Sequence, residues 1–375
     1  MKFATRAVHA GFTPDKETGA IMPPIYMTST FLQEAPGVNS GYEYTRAHNP
    51  NFTILESLTA SLENGLHATV FSSGIGALTA FMATLKPGAK VAAIGALYGG
   101  SFRLMTRFFS KWGISFATFG ADELEKALQD KPDWLMFETP TNPLMEIIDI
   151  KASVKAAKIA GTKVIVDNTF ASACLQNPLD LGADVVWHSA TKYLGGHSDV
   201  IGGCIVTNDA SLKKELDFAR MSLGLNPSPF DSWLITRGIK TLELRMRQHC
   251  LTGQKIAEFF QDKPKVNRVY YPGLASHSGH EIAKQQMRGF GGIVSVEFSG
   301  SGEEVKRMLS KLKIFSLAES LGGVESLVNH PVSMTHASIP EDVRKKMGIT
   351  DGVVRFSCGI EDADDLIEDL REMMS

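Results

Sequence analysis

No apolar run in this chain reaches the ~18 residues that a membrane-crossing helix needs. The amino terminus, Met1-Lys2-Phe3-Ala4-Thr5-Arg6, has no signal core, so a cytoplasmic protein with no membrane partner is expected. Cysteine is scarce. Cys174, Cys204, Cys250 and Cys358 lie far apart and form no C-x-x-C pair, which argues against a disulfide framework and a zinc site. The histidines show no metal spacing either, so no metal is expected. There is no G-x-S-x-G elbow of a serine hydrolase. Long basic blocks are missing and the net charge is only −3, which argues against nucleic acid or a membrane surface as the main partner. Repeats and low-complexity tracts are absent as well. What remains is 375 residues with 43% hydrophobic content, enough for one large or two medium domains acting on a small molecule.

The first ~50 residues carry no strong helical period and contain Met22-Pro23-Pro24 and Ala35-Pro36-Gly37, which favours an extended, turn-rich arm. Such an arm commonly reaches a neighbouring subunit. Apolar residues then recur at helical spacing from Phe52 to Leu62. Beyond them the pattern alternates. Apolar runs at 68–71, 90–94, 134–138, 163–167 and 184–187 each end at polar or glycine-rich residues, and helix-like stretches such as Lys151 to Ala160 separate them. This is the signature of an α/β protein with an open, mostly parallel sheet wrapped by helices. A long helix is expected from Trp233 through Phe260, bridging to a smaller carboxyl-terminal α/β domain with strands at 266–271 and 292–298 and helices at 303–312 and 362–373.

In parallel sheets ligands bind beyond the carboxyl ends of the strands, and Glu138, Asp167 and Ser189 stand at such ends. The stretch His188-Ser189-Ala190-Thr191-Lys192-Tyr193-Leu194-Gly195-Gly196-His197 follows one of these strands. A lysine there, in a partly dry and cation-rich pocket, has a lowered pKa and can condense with a carbonyl, while two hydroxyls beside it can grip a phosphate. Pyridoxal phosphate suits that pairing. Asp167 would partner a protonated ring nitrogen, which keeps the ring electron-poor. The turn Ser72-Ser73-Gly74-Ile75-Gly76, between a strand and a helix, offers backbone N–H groups to an anion. Tyr98 could stack on a ring, Tyr44 and Arg46 could reach a phosphate, and Arg355, set within a strand, could take a carboxylate. Read singly, each also fits an ordinary role: a surface lysine, a capping aspartate, a core tyrosine, a surface pair, a structural salt bridge.

Together the motifs are more specific. Tyr44-Thr45-Arg46, Ser73-Gly74-Ile75, Tyr98-Gly99-Gly100, Glu138-Thr139-Pro140-Thr141-Asn142-Pro143, Val166-Asp167-Asn168-Thr169-Phe170, Ser189-Ala190-Thr191-Lys192-Tyr193, Gly196-His197-Ser198-Asp199, Ala318-Glu319-Ser320-Leu321-Gly322-Gly323 and Met334-Thr335-His336 occur in order along nearly the whole chain. The chain thereby resembles the cysteine/methionine-metabolism family of pyridoxal-phosphate enzymes. The resemblance implies fold type I, the aspartate-aminotransferase-like fold, with an arm over 1–50, a PLP-binding domain over 51–240 and a carboxyl-terminal domain over 241–375. It also implies a homotetramer, a dimer of dimers with shared active sites. Lys192 would carry the cofactor covalently and act with Tyr98 in catalysis. Asp167 would pair with the ring nitrogen, and Gly74, Ile75, Ser189 and Thr191 would bind the phosphate. Tyr44 and Arg46 would reach that phosphate from the partner subunit, and Tyr98 would stack on the ring. Asn142, Ser320 and Arg355 would orient the substrate α-carboxylate.

Within the family, Glu319 resembles the glutamate of cystathionine γ-lyases and γ-synthases. Methionine γ-lyases tend to have an apolar residue there and a cysteine where this chain has Gly100. Arg103 and Glu319 would suit the charged distal end of cystathionine. The strings Ser222-Leu223-Gly224 and Pro227-Ser228-Pro229 look more like γ-lyases than γ-synthases, with γ-synthase and β-lyase as the alternatives. His48, Asn51 and Arg220-Met221 depart from the common pattern and are expected near the entrance. A non-catalytic scaffold of the same fold would have lost the lysine or the aspartate, and both are present.

Overall fold

The computed structural model describes residues 1–337, 341, 344 and 347–375. Two sheets organise it. The larger has seven strands, β1 (His67–Phe71), β2 (Lys90–Ile94), β3 (Ser115–Phe119), β4 (Trp134–Glu138), β5 (Lys163–Asp167), β6 (Val185–Ser189) and β7 (Gly203–Thr207), in the order β1-β7-β6-β5-β4-β2-β3. The run from β3 to β6 is parallel and only β7 is reversed, pairing antiparallel with both β6 and β1. The apolar runs predicted this: strands covered on both faces have no polar side to alternate with. On one face Met136, Ile165, Val185 and Trp187 pack against Ala77, Leu78 and Phe81 of the helix Gly74–Ala83. On the other, Leu135, Phe137, Val164 and Val166 pack against Val154 and Ala157 of the helix Ile150–Ala160. Each such side chain contributes about 1.5–3 kcal/mol on burial.

The smaller sheet contains β8 (Val266–Tyr270), β9 (Ile293–Phe298), β10 (Ser316–Leu317), β11 (Leu327–Asn329) and β12 (Val353–Ser357), in the order β10-β11-β12-β9-β8. Its aromatic core, Phe260, Phe298, Phe315 and Phe356, is backed by the helix Ala363–Met374. The short β10 and β11 are too brief to leave a period in the sequence.

Three sequence expectations are corrected. Residues 1–50 are not extended throughout, because Phe3–His9 forms a helix whose Ala7 is buried. The long helix after Trp233 is two helices, Pro229–Ile239 and Leu242–Gln261. The break falls between Ile239 and Leu242, beside Gly238, which presses on the lysine loop so closely that a Cβ there would lie 2.2 Å from the Gly195 carbonyl oxygen. Arg245 locks the junction, donating to the carbonyls of Tyr193 and Gly238, each at 2.8 Å. Finally, Asn51 and Arg220 do not line an entrance. Arg220 is fully buried, pairs with Glu56 and donates 2.9 Å to the Ala47 carbonyl, while Asn51 bonds Tyr26 and Pro24 of the amino-terminal segment.

Candidate active site

The carboxyl ends of β4, β5 and β6 stand side by side, with Glu138 opposite Asp167 and Asp167 opposite Trp187. Lys192 follows β6 by three residues, in a turn closed by its N–H on the Ser189 carbonyl (3.2 Å). Its Nζ donates to Ser320 Oγ at 2.7 Å. Burial and then the Arg355 charge push the amine down to about 8, opposed by Glu319. An amine so lowered is partly neutral near physiological pH, as a nucleophile and base must be.

Ser320 occupies a left-handed backbone conformation, φ +91°, unusual for a residue with a Cβ. That turn aims two groups at once. The hydroxyl meets Lys192 and the carbonyl accepts Arg355 Nη2 at 2.7 Å. Arg355 Nη1 donates 2.9 Å to Asn142 Oδ1, so β12 of the small sheet is tied to the loop after β4 of the large one. Arg355 is only 2% exposed, has no partner for its Nε, and is lowered to about 10 by burial despite nearby Glu138. A buried guanidinium with an orphaned N–H fits an incoming carboxylate.

Asp167 is also buried, and among the described residues no lysine or arginine pairs with it. Burial raises its pKa, while the Thr169 hydroxyl (2.5 Å) and backbone N–H (3.0 Å) and the His188 charge lower it. Burial and then the Asp167 charge also push Glu138 well up, opposed by Arg355. A carboxyl held here by Thr169 fits a cationic ring nitrogen.

The turn before the helix Gly74–Ala83, a candidate phosphate cradle, is shaped by sterics as much as by polar groups. Ser73 caps the helix Gly74–Ala83 through the Gly76 N–H (2.9 Å), and the first N–H groups, of Gly74 and Ile75, have no intrahelical acceptor. Gly74 lies against Ser189, where a Cβ would come within 2.9 Å of the serine Cβ, and its carbonyl accepts the Trp187 indole at 2.8 Å. Thr191 is held by Gly202 and Ser189 by Thr169. Tyr98 stands 42% exposed just before the short helix Gly99–Arg103, and its ring fills the space a side chain on Gly100 would need, 2.4 Å from that Cβ. Arg103 and Glu319 are exposed, and Glu319 acts electrostatically on both Lys192 and Arg355.

The structure therefore joins Lys192, Ser320, Arg355 and Asn142 directly, and Gly74 to Ser189. Tyr44 and Arg46 are not part of this set. Arg46 lies over the Tyr44 ring and donates to the Met221 carbonyl at 2.8 Å. Sequence reasoning missed Thr169, whose hydroxyl links Asp167 to the Ser189 N–H, and Glu63, which meets His188 at 2.6 Å. Thr169 sits two residues past a strand end, a signal that was available; Glu63, at the end of a distant helix, left none.

The chain is similar to known enzymes over its whole length. Cystathionine gamma-lyase of Bacillus subtilis (strain 168) is 48% identical over 377 aligned residues, covering 100% of this chain and 99% of that one. Cystathionine beta-lyase of Lactococcus lactis subsp. cremoris (strain MG1363) is 47% identical, covering 99% and 98%. The crystal structure of cystathionine gamma synthase from Xanthomonas oryzae pv. oryzae, in complex with aminoacrylate and cysteine, superposes with a TM-score of 0.97 at 43% identity, covering 100% and 98%. The fold is thus fold type I of the pyridoxal-phosphate enzymes. The sequence profile of the Cys/Met metabolism PLP-dependent enzymes matches residues 4–375, and the chain belongs to that family.

Proposed function

We propose that this enzyme is a cystathionine γ-lyase, converting cystathionine and water to cysteine, 2-oxobutanoate and ammonia. The observation that carries the reading is Glu319, an exposed carboxylate whose charge is felt by both Lys192 and Arg355. It suits the distal ammonium of cystathionine while Arg355, oriented by Asn142, takes the α-carboxylate. Arg103, at the end of the Tyr98 helix, suits the distal carboxylate.

Lys192 would carry the cofactor, Asp167 would pair with its ring nitrogen, and Tyr98 would stack on its ring. Gly74, Ile75, Ser189 and Thr191 would hold its phosphate, with Tyr44 and Arg46 supplied by a neighbouring subunit. Bound pyridoxal phosphate would supply an electron sink for the pair left when a proton leaves the substrate α-carbon. Lys192 Nζ, freed by substrate, would take that proton, return it to the substrate–cofactor pair, and so be neutral again to take one from the β-carbon, with Ser320 Oγ keeping the amine aimed. Departure of the γ-thiolate releases cysteine. A homotetramer accords with exposed Ile21, Met27, Leu32 and Tyr44 on the amino-terminal segment, apolar surface that a second chain would cover.

The alternative is γ-replacement, joining activated homoserine to cysteine, favoured by the close superposition on the Xanthomonas synthase. The purified enzyme given cystathionine alone should yield 2-oxobutanoate. Pyruvate would make it a β-lyase, and turnover that requires an activated homoserine plus cysteine would make it a synthase.

A further inference from the structure

Tyr44 and Arg46 lie on the surface of their own chain. Tyr44 is 47% exposed, Arg46 is exposed and lies over the tyrosine ring, and among the described residues no hydrogen bond joins either to Gly74, Ile75, Ser189 or Thr191. Two long side chains on an exposed turn can deliver a phosphate contact to another chain only if the backbone beneath them is already fixed, since ordering it on contact would consume the binding energy.

What fixes this turn is a buried arginine. The turn closes when the Tyr44 carbonyl accepts the Ala47 N–H at 2.9 Å and the His48 N–H at 3.1 Å. The Ala47 carbonyl then accepts Nη2 of Arg220 at 2.9 Å. Arg220 stands near the end of the helix Ala210–Leu223, fully buried over the Phe52 ring, and its Nη1 donates to Glu56 and, at 3.2 Å, to the Val70 carbonyl. Glu56 is itself held, its Oε1 accepting the Val70 N–H at 3.2 Å. One planar fork thus meets acceptors on the turn, on the helix Pro50–Leu62 and on β1, which the single ammonium of a lysine could not do in those directions. The next residue completes the grip, the Met221 carbonyl accepting Arg46 Nη1 at 2.8 Å. The same helix end also reaches the candidate phosphate cradle of its own chain. The Arg220 carbonyl accepts the Leu225 N–H at 2.9 Å, and the Leu225 carbonyl accepts the Ser72 N–H at 2.8 Å.

We propose that Arg220 is a positioning residue that fixes the Tyr44–Arg46 turn for contact with the cofactor phosphate of a neighbouring subunit, so that its loss is felt at the other chain's lysine. The inference rests on the reading of Tyr44 and Arg46 as phosphate-binding groups supplied between subunits. An arginine buried only to stabilise its own chain would, when lost, weaken binding whether or not the ligand carries a phosphate.

The test uses full-length, cofactor-stripped protein and compares dissociation constants for pyridoxal phosphate and for pyridoxal, which lacks the phosphate. Arg46→Ala should cut the preference for the phosphorylated form about tenfold, the size of one charge-assisted hydrogen bond. Arg220→Gln should cut it about as much, with affinity for pyridoxal unchanged. If Arg220→Gln folds poorly because Glu56 is left unpaired, combining it with Glu56→Gln removes both charges and should give the same loss. Hybrid oligomers of Arg220→Gln chains with Lys192→Ala chains, purified through two tags, then locate the effect. Borohydride fixation at graded pyridoxal phosphate counts occupancy on Lys192, which in these hybrids belongs only to the Arg220→Gln chains. A part of those lysines should fill at the wild-type concentration, because the neighbouring turn is intact. Equal losses for both ligands, an unchanged preference in Arg220→Gln beside a reduced one in Arg46→Ala, or hybrids that fill only at the weaker concentration would overturn the role of Arg220. A preference untouched by Arg46→Ala would overturn the reading of Arg46 and the inference with it.

Discussion

Ser320 holds the amine of Lys192 at 2.7 Å while its own backbone turns through φ +91°. The same residue's carbonyl accepts Arg355, so one left-handed turn serves both contacts. Position and strain come together, as they do at functional sites.

Two substitutions at this residue separate them. Ser320→Ala should lower kcat about tenfold, in the range for a lost contact to a catalytic base, with little change in Tm. Ser320→Gly should show the same kinetic loss but a higher Tm than Ser320→Ala, since glycine relieves a left-handed conformation that costs a side-chain residue about 1 kcal/mol. Calorimetry and steady-state rates check both.

Lys192 also imposes a pH dependence on the cofactor-free protein. Its pKa falls from the ordinary 10.5 to about 8 on folding. Between those values the unfolded chain binds the extra proton, so stability should rise with pH across that window, with the full penalty present below pH 8. Denaturant titrations should show this rise in wild type and a shallower one in Lys192→Met.

Arg355 and Asn142 act as a pair. Arg355→Lys keeps a charge but loses the planar fork that meets Asn142 and Ser320, and should lower kcat/KM by about a hundredfold, mostly through KM. Asn142→Ala should cost less alone and add little to Arg355→Lys, which a double-mutant cycle would reveal.

Glu319 is exposed, so Glu319→Ala should leave Tm unchanged within about 1 °C, in line with surface substitutions. It should raise KM for cystathionine several-fold and leave KM for a γ-substituted homoserine without a distal ammonium nearly unchanged.

Much of the site could be read from the chain because strand ends announce themselves. Asp167 and Ser189 close apolar runs, Lys192 follows one, and Arg355 interrupts one, so residue type and place both pointed to a ligand. Other features depend on contacts distant in sequence. Glu63 ends an unremarkable amphipathic helix, yet it meets His188 across 125 residues of chain. Gly238, beside the helix break, is pressed against the lysine loop's backbone, a contact distant in sequence. Arg220 was expected near the entrance because its hydrogen-bond partners Glu56, Val70 and Ala47 are all more than a hundred residues away.

The measurement that bears most directly on the whole account is reduction of the purified enzyme with borohydride followed by peptide mass analysis. A yellow protein that bleaches, with one pyridoxyl phosphate added to the peptide carrying Lys192, is the predicted result. A colourless protein, or a label on a different lysine, would contradict it.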